Sequence, residues 1–294
     1  MPTFLYGIGA ARAGTTWLSR ALRGHPQVSL PAMKEVHYFD TVETGNTMSV
    51  MDQLVRVRAE QRAALVRQTN PGKKRYLRRR VDELDGWLGL IGSAQQNDQR
   101  YQELLLSSAS HARLVADLTP AYATLSTETF ARMAALNSGD TKFLMILRDP
   151  VERLWSNLRL TVERRVAKGA HENVVRDSLV REVAENPNLP ELQRADYAGT
   201  LTRVMSVVPA ERIKCMFFDD LFTAESLEKL SAFLGLEGTL EGPRRAVNTV
   251  DPMDMTRAER DVIGRAVAPQ YEFAASFFGE LPKTWRRNMT EVTA

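Results

Sequence analysis

Residues 4–16, with the sequence FLYGIGAARAGTT, contain the residue types that bind a phosphate group. Phe4–Ile8 is apolar and aromatic enough to predict a buried strand. A turn of small residues around Arg12 follows, and Thr15 and Thr16 stand where a helix would begin. The first turn of a helix offers unpaired N–H groups and a partial positive charge, so this stretch is typical of an anion-binding loop. A turn of this kind is also structural in many proteins.

The spacing of the glycines indicates which anion the loop would take. Gly9 and Gly14 are separated as in the nucleotide-binding pattern G-x-x-x-x-G-K-[ST], but Thr15 stands where that pattern needs lysine. Arg12 is the cation of the loop. The loop therefore favours a 5′-phosphate with one further small anion over a triphosphate on Mg²⁺. A P-loop kinase or NTPase remains an alternative, with Asp117 as its candidate Mg²⁺-holding carboxylate.

A second stretch, Lys34–Asp40 (KEVHYFD), contains residue types used in acid–base chemistry. If it is extended, Glu35, His37 and Phe39 lie on one side of the chain. The alternative is a solvated strand end with incidental charges.

Two further predicted strands also end in polar residues. Arg113–Asp117 is followed by LTPAY, which places Tyr122 near the carboxyl end of that strand. Lys142–Leu147 is apolar after its first residue, as expected of a strand buried on both faces, and it leads directly to Arg148. Ser156 follows two helical turns later, so Arg148 and Ser156 can converge on one phosphate.

The alternation of strands and helices predicts an α/β protein with a central, mainly parallel sheet flanked by helices, in a P-loop-like three-layer arrangement. Ligands of such sheets bind beyond the carboxyl ends of the strands, where all these polar residues fall. We expect a single domain over residues 1–294 with a helical insertion at about residues 48–112. Within it the run KKRYLRRR, residues 73–80, is either a site for an anionic acceptor or a solvated helix face.

Composition narrows the class of protein. The 294 residues are 44% hydrophobic and 26% charged, with a net charge of +3, which is typical of a globular protein with anionic ligands and weaker than a nucleic-acid-binding pattern. Cys215 is the one cysteine, so neither an internal disulfide nor a cysteine metal site is expected. No targeting or membrane-spanning segment is recognisable, so we expect a cytoplasmic protein without membrane or nucleic-acid partners.

The C-terminal third predicts one strand, Ile213–Phe218, and a helix anchored by Trp285. Phe222 and several apolar residues that follow it are predicted to lie in the core. Arg244 and Arg245 belong to a loop that either closes over a phosphate or is a solvated basic turn.

Together the motifs GIGAARAGTTWL, KEVHYFD, DLTPAY and LRDPVERLWSN resemble, in order and interval, the sulfotransferases that use 3′-phosphoadenosine 5′-phosphosulfate (PAPS). They look most like the heparan-sulfate-type branch. The resemblance implies transfer of a sulfuryl group from PAPS to a hydroxyl of a carbohydrate or small-molecule acceptor. It implies 3′-phosphoadenosine 5′-phosphate (PAP) as the second product and no metal.

The resemblance also implies roles for individual residues. Glu35 is the general base, Arg12 stabilises the leaving oxygen, and His37 and Asp40 orient Glu35 or the acceptor. The residues implied to hold the two phosphates of the donor are Arg12, Ala13, Gly14, Thr15, Thr16, Trp17, Arg148, Ser156, Arg244 and Arg245. Lys34, Asp40 and Tyr122 are the candidates for contact with substrate.

Two positions depart from the family pattern. Arg12 replaces a usual lysine, and Lys34 is the candidate for supplying a compact cation instead. Leu118 stands where heparan-type members often carry lysine, which leaves room for a smaller or less anionic acceptor. A non-catalytic module that binds PAP remains a third alternative.

Overall fold

The computed structural model describes residues 1–107, 109, 111–243 and 253–293. Its five strands form one sheet in the order β2-β3-β1-β4-β5, with every neighbouring pair parallel. The strands are β1 (Thr3–Gly9), β2 (Val28–Ser29), β3 (Leu114–Leu118), β4 (Thr141–Leu147) and β5 (Ile213–Phe217). The predicted α/β architecture with a parallel central sheet is confirmed.

The centre of the sheet is buried on both faces. β1 lies between β3 and β4, and Leu5 is in register with Ala116 on one side and Lys142 on the other. Residues 4–9 of β1 and all of β3 are buried. A strand covered on both faces needs apolar side chains in both directions, which explains the unbroken apolar runs in the sequence.

Helices flank the sheet. They are α1 (Thr15–Gly24), α2 (Tyr38–Thr44), α3 (Met48–Arg67), α4 (Pro71–Ser93), α5 (Asp98–Leu106), α6 (Thr127–Ala135), α7 (Pro150–Val166), α8 (Glu172–Glu185), α9 (Pro190–Gln193), α10 (Tyr197–Met205), α11 (Ala224–Leu234), α12 (Arg257–Phe278) and α13 (Lys283–Thr293). Short 3₁₀ segments lie at Pro120–Thr124, Leu136–Gly139 and Ala210–Arg212. None of the helices in the described part of the chain is long and apolar enough to cross a membrane.

The residues predicted as a helical insertion form α3, α4 and α5. The break between α3 and α4 is at Asn70, whose side chain accepts a hydrogen bond from the backbone N–H of Lys73, and Pro71 occupies the first helical position. The long α4 buries Leu84, Trp87 and Ile91 against the rest of the protein. The insertion is therefore attached through a packed apolar stripe rather than a flexible linker.

Trp285 anchors the C-terminal helix, as its position in the sequence predicts. It is fully buried, and its ring lies 5.2 Å from that of Phe217, 6.0 Å from that of Tyr271 and 6.2 Å from that of Tyr197. One side chain thus joins α13 to β5, α12 and α10, the elements that support the far edge of the sheet.

We expect Trp285→Ala to lower the free energy of unfolding by about 3–5 kcal/mol, because it empties a closed aromatic cluster. Phe277→Ala is the matched control: this ring on α12 is 44% exposed, so its removal should cost less than about 1 kcal/mol. Urea unfolding followed by circular dichroism measures both values. Equal losses for the two variants would contradict the anchoring role of Trp285.

Candidate active site

A cleft of about 510 Å³ opens at the carboxyl edge of the sheet, where the predicted motifs meet. Its walls come from the loop after β1, the first turn of α1, residues 34–37, the 3₁₀ segment after β3, and the inner face of α7. This volume is in the range of small-molecule and cofactor sites.

The loop between β1 and α1 is shaped to expose backbone N–H groups. Gly14, the residue before α1, has a left-handed φ of 84°, and a Cβ added there would lie 2.7 Å from a methyl group of Leu221. Only glycine fits this position without strain. Gly14 has no side chain with which to cap α1, and Thr15, Thr16 and Trp17 line the cleft, so the positive end of this helix is an anion-binding surface.

Arg12 and Arg148 are brought together at this loop. The Nε of Arg12 donates a hydrogen bond to Ser156 Oγ over 3.1 Å, and Arg148 Nη1 donates to the backbone oxygen of Arg12 over 3.0 Å. Burial lowers the pKa of both guanidinium groups, and for Arg12 the nearby charges of Arg148, Arg159 and Arg164 lower it further. Partly buried cations that repel one another favour the binding of an anion.

Glu35 lies on the opposite wall of the cleft. Its carboxylate contacts Lys34 Nζ through one oxygen and lies 3.4 Å from His37 Nε2 through the other. Burial alone would raise its pKa, but hydrogen bonds from His37 and Lys34 overcome that effect and hold the pKa at about 2. Glu35 is therefore a carboxylate at neutral pH.

His37 is held between two carboxylates. Its Nδ1 lies 2.7 Å from Asp40 Oδ2, and its Nε2 faces Glu35. Burial would lower its pKa, yet hydrogen bonds to Asp40 and Glu35 raise it to about 10. The ring is thus an imidazolium that carries its charge into the cleft, with Asp40 behind it.

Side chains of other elements hydrogen-bond to the backbone of residues 30–37, the candidate catalytic loop, which we call the catalytic loop. Thr119 Oγ1, after β3, accepts from the N–H of Val36 over 2.9 Å. Arg23 of α1 donates to the carbonyl of Pro31 over 2.9 Å. Arg80 of α4 donates to the carbonyl of Ala32 over 2.6 Å, and Glu83 accepts from the N–H of Ala32 over 2.7 Å. The loop has no regular structure of its own, so its position depends on these contacts.

Comparison with known proteins identifies the family of the chain. The model of a sulfotransferase family matches residues 4–240. The chain belongs to the sulfotransferase family. Its fold resembles the crystal structure of a sulfotransferase from Alicyclobacillus acidocaldarius, with a TM-score of 0.63 and 21% identity over 98% of this chain and 99% of the other. It also resembles a sulfotransferase domain from the curacin biosynthetic pathway, with a TM-score of 0.50 and 16% identity over 100% and 98% of the two chains. No curated protein matches the chain significantly.

The structure of this sulfotransferase brings most predicted site residues into the cleft: Arg12, Gly14, Thr15, Thr16, Trp17, Lys34, Glu35, His37, Arg148 and Ser156. Ala13 is buried beneath the loop, and its N–H donates to the oxygen of Ala10 over 3.2 Å. Asp40 contacts His37 rather than the cleft. Arg244 and Arg245 lie outside the described residues.

The structure does not place Tyr122 where a substrate could reach it. Its side chain is completely buried, and its hydroxyl donates to Asp117 Oδ2 over 2.8 Å. Tyr101 donates to the same oxygen over 2.9 Å, and Thr119 donates to the other over 2.7 Å. Asp117 is thus the centre of a closed polar cluster under the catalytic loop, which leaves it no free oxygen for Mg²⁺.

The condition under which Glu35, His37 and Phe39 would lie on one side of an extended chain is not met: α2 begins at Tyr38 and turns Phe39 into the core, where its ring lies 5.8 Å from that of Tyr6. One local prediction is wrong. Phe222 is not a core residue: it is 47% exposed and packs edge-on against Trp17 at 5.0 Å, where both rings line the cleft.

Sequence reasoning missed three arginines of the cleft wall. Arg159 and Arg164 follow Ser156 by three and eight residues on α7, and helical periodicity carried past Ser156 would have indicated them. Arg194, after α9, has no recognisable sequence pattern. Together with Arg12, Lys34 and Arg148 these residues give the described cleft walls six lysine and arginine cations, besides the imidazolium of His37, against the single carboxylate of Glu35.

We expect the ¹⁵N chemical shifts of His37 to show a protonated imidazole up to about pH 9, since hydrogen bonds to two carboxylates raise its pKa to about 10. Asp40→Asn should lower that pKa by at least about 1 pH unit. The folded pKa exceeds the unfolded value of about 6.5, so the stabilisation is complete below that pH and is lost as pH rises through 10.

A titration of ¹⁵N-histidine-labelled protein measures this pKa, and the His37→Gln variant identifies the signal. A neutral ring at pH 8 in the wild-type protein would contradict the charged network.

Proposed function

We propose that this protein transfers the sulfuryl group of PAPS to an acceptor hydroxyl, with Glu35 as the general base. The observation that carries the proposal is the distribution of charge in the cleft. Two groups of anion-binding residues lie side by side, the start of α1 on one hand and Arg148 with Ser156 on the other, and one carboxylate faces them. A nucleotide with a 5′-phosphosulfate and a 3′-phosphate fits this pairing.

Each of the two anion-binding groups is suited to a different phosphate of the donor. The N–H groups of Gly14 to Trp17 and the hydroxyls of Thr15 and Thr16 are suited to the 5′-phosphosulfate. Arg148 and Ser156 are suited to the 3′-phosphate, and the hydrogen bond between Arg12 and Ser156 ties Arg12 to this side of the cleft. The exposed ring of Phe222 beside Trp17 offers an apolar face for the adenine.

Lys34 supplies the compact cation at the reacting centre. Lys34 is the one lysine among the described residues that line the cleft, and its Nζ contacts the carboxylate of Glu35. A point charge on a flexible stem can follow the negative charge that develops on the leaving oxygen, whereas Arg12 is held by Ser156 and Arg148. This division of labour accounts for arginine at the loop position where relatives often have lysine.

Glu35 accepts the proton of the acceptor hydroxyl as that oxygen forms its bond to sulfur. The bond between sulfur and the phosphate oxygen breaks, and its electron pair leaves with PAP. The ion pair with Lys34 keeps Glu35 a weak base, so movement of Lys34 towards the leaving oxygen strengthens it as a base at the point of transfer. The imidazolium of His37 keeps the carboxylate oriented throughout.

Two alternatives receive less support. A kinase or NTPase needs a carboxylate for Mg²⁺, and the three hydroxyl donors around Asp117 occupy both of its oxygens. A non-catalytic PAP-binding module would have no use for the half-buried Glu35–His37–Asp40 network, which costs free energy to desolvate. We infer an acceptor that is a carbohydrate or a small hydroxyl compound; the heparan-sulfate-type motifs favour the carbohydrate.

We expect PAP to bind at least about tenfold more tightly than 5′-AMP or ATP–Mg²⁺ in isothermal titration calorimetry, because Arg148 and Ser156 add charge-assisted hydrogen bonds to the 3′-phosphate. Arg148→Ala should remove that preference and leave 5′-AMP affinity within about threefold. Arg79→Ala, an exposed arginine on α4, is the control and should change neither affinity. Binding of ATP–Mg²⁺ equal to that of PAP would contradict the proposed donor.

We expect Glu35→Gln to reduce kcat by about 10²- to 10⁴-fold, the usual contribution of a general base. PAP affinity should change little, because the phosphates of the donor contact other residues. A screen of hydroxyl acceptors with PAPS, read by PAP release, measures the loss. Glu43→Gln, on the same segment but bonded to Ser126 and Thr129, is the matched control and should retain activity. Full activity of Glu35→Gln would overturn the assignment of the base.

A further inference from the structure

A second cavity, the basic groove, adjoins the catalytic cleft. It has a volume of about 520 Å³, lies between α1, α3 and α4, and shares Thr16 and Lys34 with the cleft. Its charged lining consists of Arg20, Arg23, Lys34 and Arg80, and none of its described lining residues is a carboxylate. The groove is therefore an electropositive extension of the active site, entered past Lys34.

Three of the four cations in the basic groove lack a carboxylate partner. Arg23 donates to the carbonyls of Leu30 and Pro31, and Arg80 donates to the carbonyl of Ala32 and the hydroxyl of Tyr76. These contacts satisfy N–H groups without an ion pair to a carboxylate. Burial lowers the pKa of Arg23 and the charge of Arg80 lowers it further, whereas the charge of Glu83 acts in the opposite direction.

Arg20 is the cation whose side chain is available to a ligand. It is exposed at the wall of the basic groove and makes no hydrogen bond or ion pair with any described residue. Tyr76, on the opposite wall, is 58% exposed and carries the Arg80 guanidinium 5.6 Å above its ring. An arginine fork facing an open aromatic ring suits a ligand with both an oxyanion and a ring face.

We propose that the basic groove binds an anionic group, a carboxylate or sulfate, of the acceptor whose hydroxyl reaches Glu35. The inference rests on the proposed function and names the class of its acceptor. The phosphates of the donor are already matched by residues of the loop and α7, so the groove adds positive charge beyond what the donor requires. Lys34 and Glu35 are adjacent in the chain, so an acceptor anchored in the groove passes directly to the base.

The basic run at residues 73–80 also contains a control residue for the test, Arg78. Tyr76 and Arg80 are one helical turn apart and face the basic groove, whereas Arg78 lies on the opposite side of α4, is exposed, and does not line the groove. If the basic run is only a solvated helix face, Arg78 and Arg20 should contribute equally to anion binding. If the groove is a binding site, Arg20 should contribute and Arg78 should not.

The test uses sucrose octasulfate as an anionic saccharide probe and sucrose as its neutral counterpart, titrated into full-length protein saturated with PAP. Saturation closes the phosphate sites, so octasulfate binding then reports on cationic surface outside them. We expect the octasulfate to bind and sucrose not to bind at the same concentrations. Arg20→Glu should weaken octasulfate binding by at least about tenfold, and Arg78→Glu, with the same change in net charge, by less than about threefold.

Two outcomes would overturn the inference. Absence of octasulfate binding to the wild-type protein would exclude an anionic subsite. Equal weakening by Arg20→Glu and Arg78→Glu would show non-specific attraction to a basic surface. Circular dichroism and PAP titration of each variant separate these outcomes from a loss of folding, because neither arginine holds the catalytic loop.

Failure of the proposed function gives a different result. If PAP does not bind the wild-type protein, the donor assignment fails, and the same two variants are then compared by octasulfate titration without PAP. A selective effect of Arg20→Glu there would keep the basic groove as an anion site of another reaction. Tight PAP binding with no selective effect of Arg20→Glu would remove the anionic acceptor and leave the sulfotransferase.

Discussion

The active site depends on the fixed position of a loop that cannot hold itself. Residues 30–37 join a two-residue strand to α2 without regular structure, yet they present Lys34, Glu35 and His37 to the cleft. The backbone groups of the loop are bound instead by side chains from three separate parts of the fold: Arg23 from α1, Arg80 and Glu83 from α4, and Thr119 from the end of β3. Because each tie is a buried or half-buried hydrogen bond, the loss of one leaves a polar group unsatisfied and costs more than the contact itself provides.

The same principle explains why residues that resemble catalytic groups are structural here. A buried carboxylate is tolerated when its oxygens are hydrogen-bonded, and Tyr101, Thr119 and Tyr122 donate to both oxygens of Asp117. Burial raises the pKa of Asp117, and the three donors oppose that rise. The cluster includes Thr119, whose hydroxyl accepts hydrogen bonds from the N–H groups of Val36 and His37. The cluster therefore influences the chemistry of the site by fixing the position of the loop.

The sequence predicted those parts of the structure that depend on local chemistry. The strands β1, β3 and β4 could be predicted because they are mainly apolar runs. The loop around Gly14 could be predicted because it needs a residue without a side chain. Tyr122, Phe222 and Arg194 were misplaced or missed because their environments come from residues far away in the chain. Tyr122 follows a strand end, as a ligand-binding residue would, but Tyr38 and Phe39 of α2 pack over it. Phe222 is a large apolar residue of a kind that usually lies in the core, but it packs against Trp17, about 200 residues earlier, at the edge of the cleft.

Helix α4 of the insertion contacts both the catalytic loop and the basic groove. Its inner residues, Arg80 and Glu83, hold Ala32 and thereby the loop that carries Glu35, while Tyr76 and Arg80 line the basic groove. A ligand bound by the Arg80 guanidinium therefore contacts the same side chain that fixes this loop, which links the proposed acceptor site to the position of the proposed base. Helix α1 is linked to the loop as well, because its first turn lines the cleft and Arg23 in its last turn donates to Pro31. Substitutions on the outer face of α4, such as at Arg78, touch neither the groove nor the loop, whereas those at Arg80 change both.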